Sequence, residues 1–335
     1  PPPGRGAPPG PATPSDEAVH WRAMARPHHL VLVPGFFGFA NLGDFTYFGH
    51  VRDLLVEAGS GLGIDGEVRS VRTEPTASLP RRAAILAESL SALLDDSPGE
   101  VTVVGHSSGG LDARLLLAPG ARLPTAADVE RCARAVRAVV TLCAPHHGTP
   151  LAQLFTTLLG QQALRVLSLA TVHALRSGRL PLSAVLQLVR LLRRPSRPAS
   201  GVLDQVYKQL LADFSAERRN AVESFFADVR SDQGLVGQIT PSGMEVFNAS
   251  TQDRPGVRYG CVVSRARPPG LRSLVKAGLD PYAQATHALF VALYRFASGN
   301  PRRWLPPLVA AQAAVLRRAY GRVPGHGTCP RSIGA

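Results

Sequence analysis

Residues 101–110 put an apolar, β-branched run, Val-Thr-Val-Val, directly against Gly105-His-Ser-Ser-Gly-Gly. A strand that ends in Gly-X-Ser-X-Gly and passes into a helix is the local code for a strained corner that lifts a serine hydroxyl out of the sheet. Gly105 and Gly109 fit this role because the strand and the helix cross too closely there for side chains. Leu111-Asp-Ala-Arg-Leu-Leu-Leu supplies the helix that must follow. Ser107 is therefore the candidate nucleophile, and the fold must place a buried strand beneath it.

A second run has the same form. His28-His-Leu-Val-Leu-Val is apolar enough for a buried strand and ends in Pro34-Gly-Phe-Phe-Gly. Attack of a hydroxyl on a carbonyl builds negative charge on the carbonyl oxygen, and backbone N–H groups aimed at that oxygen stabilise it. The N–H groups of Phe36 and Ser108 are the candidate donors. One such donor is worth roughly 3 to 4 kcal/mol of transition-state stabilisation.

The rest of the chain alternates in the same sense. Residues 47–57 have helical spacing and 66–73 read as a strand. Ser78 caps a helix with Pro80 in its first turn and apolar positions Ile85, Leu86, Leu90, Leu93 and Leu94. Residues 136–144 and 256–264 read as further apolar strands, with Cys143 and Cys261 buried inside them. Strands alternating with helices predict an α/β fold with a mainly parallel sheet and helices on both faces. Residues 1–26, with seven prolines in the first 14, form a Pro/Gly-rich tail too poor in packable side chains to order itself, and the domain is expected over 27–335.

Leu32-Val-Pro-Gly-Phe-Phe-Gly, Gly105-His-Ser-Ser-Gly-Gly, Leu142-Cys-Ala-Pro-His-His-Gly-Thr-Pro-Leu-Ala and Val246-Phe-Asn-Ala together resemble the bacterial triacylglycerol lipases and lipase-like esterases of the α/β-hydrolase superfamily. The similarity covers about residues 28–325. It implies an α/β-hydrolase fold, Ser107 as nucleophile, and the Phe36 and Ser108 N–H groups as oxyanion donors. His146 and His147 belong to a family motif but are not its triad histidine. Lipases of the resembling type can carry a structural calcium ion near the triad acid and histidine, but the carboxylates that would hold it are not recognisable here, and no cofactor is expected.

Composition agrees with these expectations and excludes others. A chain of 335 residues with 45% hydrophobic content is long enough for a doubly wound core and a cap. The net charge of +13 comes almost wholly from arginine, since Lys208 and Lys276 are the only lysines. The arginines are scattered, which argues against nucleic acid and for anionic lipid surfaces as partners. Cys132, Cys143, Cys261 and Cys329 lack Cys-X-X-Cys spacing, so a thiolate metal site is not expected. Gly61-Leu-Gly-Ile-Asp-Gly matches a dinucleotide fingerprint in letters only, because a helix precedes it and a strand follows, the reverse of what a pyrophosphate site needs. No secretory leader is visible in the given residues, and the compartment is left open.

Residues 148–235 read as a helical cap insertion. From 148 to 175 the only formally charged residue is Arg165, and Arg176, Arg179, Arg190, Arg193 and Arg194 would rim the apolar face. That stretch is too interrupted to span a membrane. It suits a lid that meets a lipid interface.

The triad partners are the gap. For this fold the order is Ser, acid, His, yet no Asp or Glu follows Asp280, and His287 and His326 are the last histidines. Asp232-Gln-Gly imitates an acid turn but precedes Phe247-Asn-Ala, where the resembling family has no acid. Asp280 and His287 stand seven residues apart, about 10 Å along a helix. The expectation is an altered or incomplete C-terminal part with the acid and histidine unassigned. Two functions follow: a serine hydrolase of carboxylic esters, acylglycerols foremost, or an impaired homologue that binds acyl chains or a protein partner.

Overall fold

The computed structural model describes residues 27–36, 47–61, 66–149, 152, 181–193, 208, 232, 234–264 and 268–297. Five strands form one sheet: β1 (His28–Val33), β2 (Val68–Ser70), β3 (Glu100–His106), β4 (Val136–Leu142) and β5 (Arg258–Val262). Every pairing is parallel and the order is β2-β1-β3-β4-β5. The chain leaves β1 to one side for β2 and returns to the other side for β3. At such a reversal the loops after neighbouring strands part, and a crevice opens at their carboxyl ends. Those ends here are Pro34-Gly35-Phe36 after β1 and Ser107 after β3.

Helices close the sheet as the apolar spacing predicts. α1 (Gly49–Gly61) lies outside with no buried residue. α2 (Leu79–Asp96) buries Leu79, Ala83, Leu86, Leu90, Leu93 and Leu94, a stripe at helical period. α3 (Ser108–Leu117) starts directly at the elbow, and α4 (Val129–Ala135) leads into β4 under an Asp128 cap that accepts the Arg131 N–H. Val31, Val33, Leu86, Leu90, Val101, Val103, Leu116, Leu117, Val136 and Val139 form the central core. This is an α/β-hydrolase fold by its parallel order and its strand–elbow–helix unit.

The remaining described helices are α5 (Leu182–Arg193), α6 (Gly234–Gln238), α7 (Pro241–Ser250), α8 (Leu271–Ala277) and α9 (Pro281–Ala297). α5 and α9 meet through Val185, Val189 and Ala285. Most of 148–235, including Arg165, Arg176, Arg179 and Arg194, lies outside the described residues, as do the tail 1–26, His326 and Cys329. The Gly61–Gly66 stretch joins the end of α1 to β2, as its context in the sequence predicts.

Two expectations need correction. The last strand is shorter than 256–264 and mostly exposed, because among the described residues it pairs on one side only, with β4. Cys261 is accordingly exposed and not a buried small residue. Cys143 lies just beyond β4 at φ 50°, half-buried, with Sγ 3.2 Å from Ser264 Oγ. No helix of the described residues is long and apolar enough to cross a membrane.

Candidate active site

Ser107 adopts φ 54° and ψ −127°, a left-handed conformation that few non-glycine residues hold without support. The support is visible. Its N–H donates to Leu142 O at 2.8 Å, tying the corner to the end of β4, and its carbonyl accepts the Gly110 N–H at 3.1 Å. A Cβ on Gly105 would stand 2.5 Å from the Gly109 backbone, and one on Gly109 would stand 2.3 Å from Val33 O. The glycines of the pentapeptide thus let α3 descend onto β1 and β3. The Ser107 side chain is half-buried and has no hydrogen-bond partner among the described residues.

The loop after β1 comes to the same place. A Cβ on Gly35 would meet Ser107 Cβ at 2.5 Å and Ser107 Oγ at 3.1 Å. Phe36 follows immediately, its ring packed on the cluster of Leu79, Leu111, Ala152, Leu235, Met244 and Phe247. Ser108 is fully buried at the first turn of α3. Its hydroxyl is without a hydrogen-bond partner among the described residues. The three residues singled out in the sequence, Ser107, Phe36 and Ser108, are therefore gathered at one corner.

Two supports of this corner were not foreseen. Arg82 and Asp112 are both at 0% exposure and paired, with Nη2 to Oδ2 at 2.8 Å and Nε to Oδ2 at 3.0 Å. The same guanidinium donates to Pro34 O at 2.8 Å and to Glu74 O at 2.6 Å. One buried side chain thereby ties the β1 loop to the helix that follows Ser107. Burial pushes the Asp112 carboxyl up to about 6, against the pull of Arg82. The signal was present in the sequence: Arg82 occupies the apolar stripe of α2 between Leu79 and Leu86, where a charge demands a partner. The second support is Tyr47, whose hydroxyl lies 2.6 Å from His106 Nδ1.

The Pro-His-His-Gly-Thr and Phe-Asn-Ala motifs meet behind the elbow. Arg114 of α3 donates to Asn248 Oδ1 at 3.1 Å and faces His146 Nδ1 at 3.3 Å, while Asn248 Nδ2 donates to His146 O at 2.7 Å. His146 Nε2 is 3.1 Å from Thr141 Oγ1. Burial, then the neighbouring charge of Arg114, brings His146 down to about 4, so it is neutral in the fold. Gly148, at φ 80°, lets the loop press on Thr240-Pro241. This cluster braces the sheet end, and both nitrogens of His146 are engaged.

None of the described acid or base candidates reaches Ser107 through a hydrogen bond. Asp232 spends its carboxylate on the Ser78 and Gly234 N–H groups at 3.0 and 2.7 Å, and its carbonyl accepts from Thr76. Asp280 caps α9 through the N–H groups of Tyr282 and Ala283. His287 is 3.0 Å from Ser273 Oγ on α8. Among the described residues no group of three or more His, Cys, Asp or Glu side chains comes together.

A scan of family models finds no match, and neither does a search of curated proteins. Solved structures similar to this chain include the mature lipase BlEst2 of Bacillus licheniformis, with 17% identity, a TM-score of 0.40, and coverage of 76% of this chain and 73% of that one. Staphylococcus hyicus lipase overlaps with 18% identity and a TM-score of 0.38 over 76% of this chain and 75% of its own. A metagenomic carboxyl esterase, MGS0156, overlaps with 18% identity and a TM-score of 0.27 over 80% and 74%. These neighbours are bacterial lipases and an esterase at low identity. The corner's own geometry, not these overlaps, carries its chemistry.

Proposed function

We propose that this chain is a serine hydrolase of carboxylic esters, acylglycerols or other esters of apolar acyl chains. The observation that carries this reading is the left-handed Ser107 corner with Gly35 packed against its side chain. Ser107 Oγ attacks the ester carbonyl carbon, and its proton passes to a base. The charge that develops on the carbonyl oxygen is met by the Phe36 and Ser108 N–H groups, the latter at the positive end of α3. Collapse expels the alcohol, which takes up the proton, and leaves an acyl-Ser107 ester. Water then adds to that ester and releases the acid. The base and its orienting acid are not assigned to any described residue.

The engagement of Asp232, Asp280, His146 and His287 elsewhere favours one second reading, an impaired homologue that binds acyl chains or a protein partner without turnover. With the oxyanion donors intact, roughly a thousandfold rate over water would persist even so. A fluorophosphonate probe separates the two on the full chain. The hydrolase labels at Ser107, loses the label in Ser107→Ala, and turns over p-nitrophenyl esters, with kcat falling by about a millionfold in that variant. A chain that neither labels nor hydrolyses any ester of the acyl series leaves the binding reading.

A further inference from the structure

The Pro34 carbonyl, where β1 passes into its loop, sits in a slot. On one side the start of α3 presses on it, since a Cβ at Gly109 would stand 2.7 Å from Pro34 O. On the other side Arg82 Nη2 donates to it at 2.8 Å. The same guanidinium donates through Nη1 to Glu74 O at 2.6 Å, and through Nε and Nη2 to Asp112 Oδ2 at 3.0 and 2.8 Å. Arg82 and Asp112 are both at 0% exposure, so these bonds act in a low-dielectric interior.

What these partners carry decides the consequence. Pro34 O belongs to the planar peptide that leads into Gly35, and only the two torsions of Gly35 separate that peptide from the one bearing the Phe36 N–H. Glycine is the residue least able to hold such torsions by itself. No stiffer residue can replace it, because a Cβ at Gly35 would meet Ser107 Cβ at 2.5 Å and His106 O at 2.8 Å. Restraint therefore comes from the two ends: Arg82 holds the Pro34–Gly35 peptide, and the Phe36 ring packs on the cluster of Leu79, Leu111 and Phe247. Asp112 lies one helical turn beyond Ser108 on α3. The carboxyl that Arg82 grips thus belongs to the helix whose first N–H is the other oxyanion donor in the hydrolase reading.

We propose that Arg82 is a positioning residue for the oxyanion site: by bridging the Pro34 carbonyl and the Asp112 carboxyl it holds the Phe36 and Ser108 N–H groups in one frame, so that both meet the same charged oxygen. This rests on the ester-hydrolase reading. Arg82 touches neither substrate nor the reacting atoms, and it acts through the loop and the helix. Its role reaches past stability, because an ion pair kept only for folding could be exchanged for apolar side chains with turnover intact.

The test uses the full chain and combines Arg82→Met with Asp112→Leu, which removes the bridge without stranding a charge. Its Tm should return most of the way from that of Arg82→Met to that of wild type. Turnover should not follow: kcat on p-nitrophenyl butyrate stays roughly 10- to 100-fold below wild type, the loss expected of a slightly misplaced preorganised group. KM should stay within about twofold and the Ki of a trifluoromethyl ketone analogue should rise in step with the loss of kcat, because the displaced donors act on the charged oxygen. Arg82→Lys is the second variant and covers a double variant that fails to fold. A cation still faces Asp112, but an ammonium lacks the planar fork that spans Pro34 O and the carboxyl together, so the same changes in kcat and Ki are expected. The proposal is overturned if either folded variant keeps kcat and Ki within about twofold of wild type, or if kcat falls while Ki does not move. Should wild type itself neither label at Ser107 nor hydrolyse esters, the hydrolase reading fails and takes this one with it. Wild-type activity that survives in these variants removes this proposal alone.

Discussion

The β1–β3 corner and the α8–α9 pair are both written in leucine-rich sequence, and they end in opposite states. At the corner Leu32, Val33, Arg82, Leu111 and Asp112 are at 0% exposure, whereas Leu271, Leu274, Val275 and Leu279 on and after α8 stand between 50% and 93%. The corner lies between sheet and helices and satisfies its buried charges from several elements at once. Among the described residues α8 packs on α9, and β5 pairs on one side only. A backbone held from all sides can keep Ser107 in an unfavourable conformation, and a half-covered helix cannot hold anything to that tolerance.

Breaking the buried ion pair should have the largest effect. Arg82→Met strands the buried Asp112 carboxyl without its partner and frees the Pro34 and Glu74 carbonyls, and is expected to cost about 3 to 5 kcal/mol in urea unfolding. Arg82→Met with Asp112→Leu should recover much of that, since an apolar pair of similar volume carries no stranded charge. If the single variant is as stable as wild type, the corner does not depend on this clamp.

Acid should expose the bracing cluster next. Unfolded His146 takes up a proton near 6.5 while the folded protein holds it neutral down to about 4, so its contribution is complete above pH 6.5 and is lost as pH falls to about 4. Asp112, raised to about 6, gives the opposite slope in the same range. The diagnostic quantity is therefore wild type minus His146→Gln, which should change by about 3 kcal/mol between pH 7 and pH 4 in equilibrium unfolding. A flat difference would mean that His146 is protonated inside the fold.

Smaller effects sharpen the contrast. Ser108→Ala removes a buried hydroxyl that has no described partner and should raise stability by up to about 1 kcal/mol, with turnover retained because the backbone N–H stays. A large loss would reveal a partner for that hydroxyl. Leu279→Ser, at 93% exposure, should stay within about 0.5 kcal/mol of wild type by thermal melting. A cost of several times that would show the surface to be covered.

Much of the corner was legible because its rules are local. A β-branched run before Gly-X-Ser-X-Gly can form little besides a strand and a tight turn, so Ser107, the α3 start and the buried strands β1, β3 and β4 were found by pattern alone. β5 was misjudged because an apolar run does not say whether anything covers it. Tyr47, Arg82 and Asp112 were passed over because their partners lie far away in the chain: 59 residues separate Tyr47 from His106, and 30 separate Arg82 from Asp112. Only a charge on the apolar stripe of α2 hinted at the second pair.

From its sequence alone this chain determined a parallel α/β core, a strained serine after a buried strand and a glycine loop able to approach it, since each depends on short-range sterics and side-chain period. Tertiary structure decided what holds those pieces together. The order β2-β1-β3 brings the two loops to one crevice, Arg82 holds the loop after β1 and Tyr47 reaches His106, because hydrogen bonds across the sheet are set by where distant segments pack and not by the residues beside them.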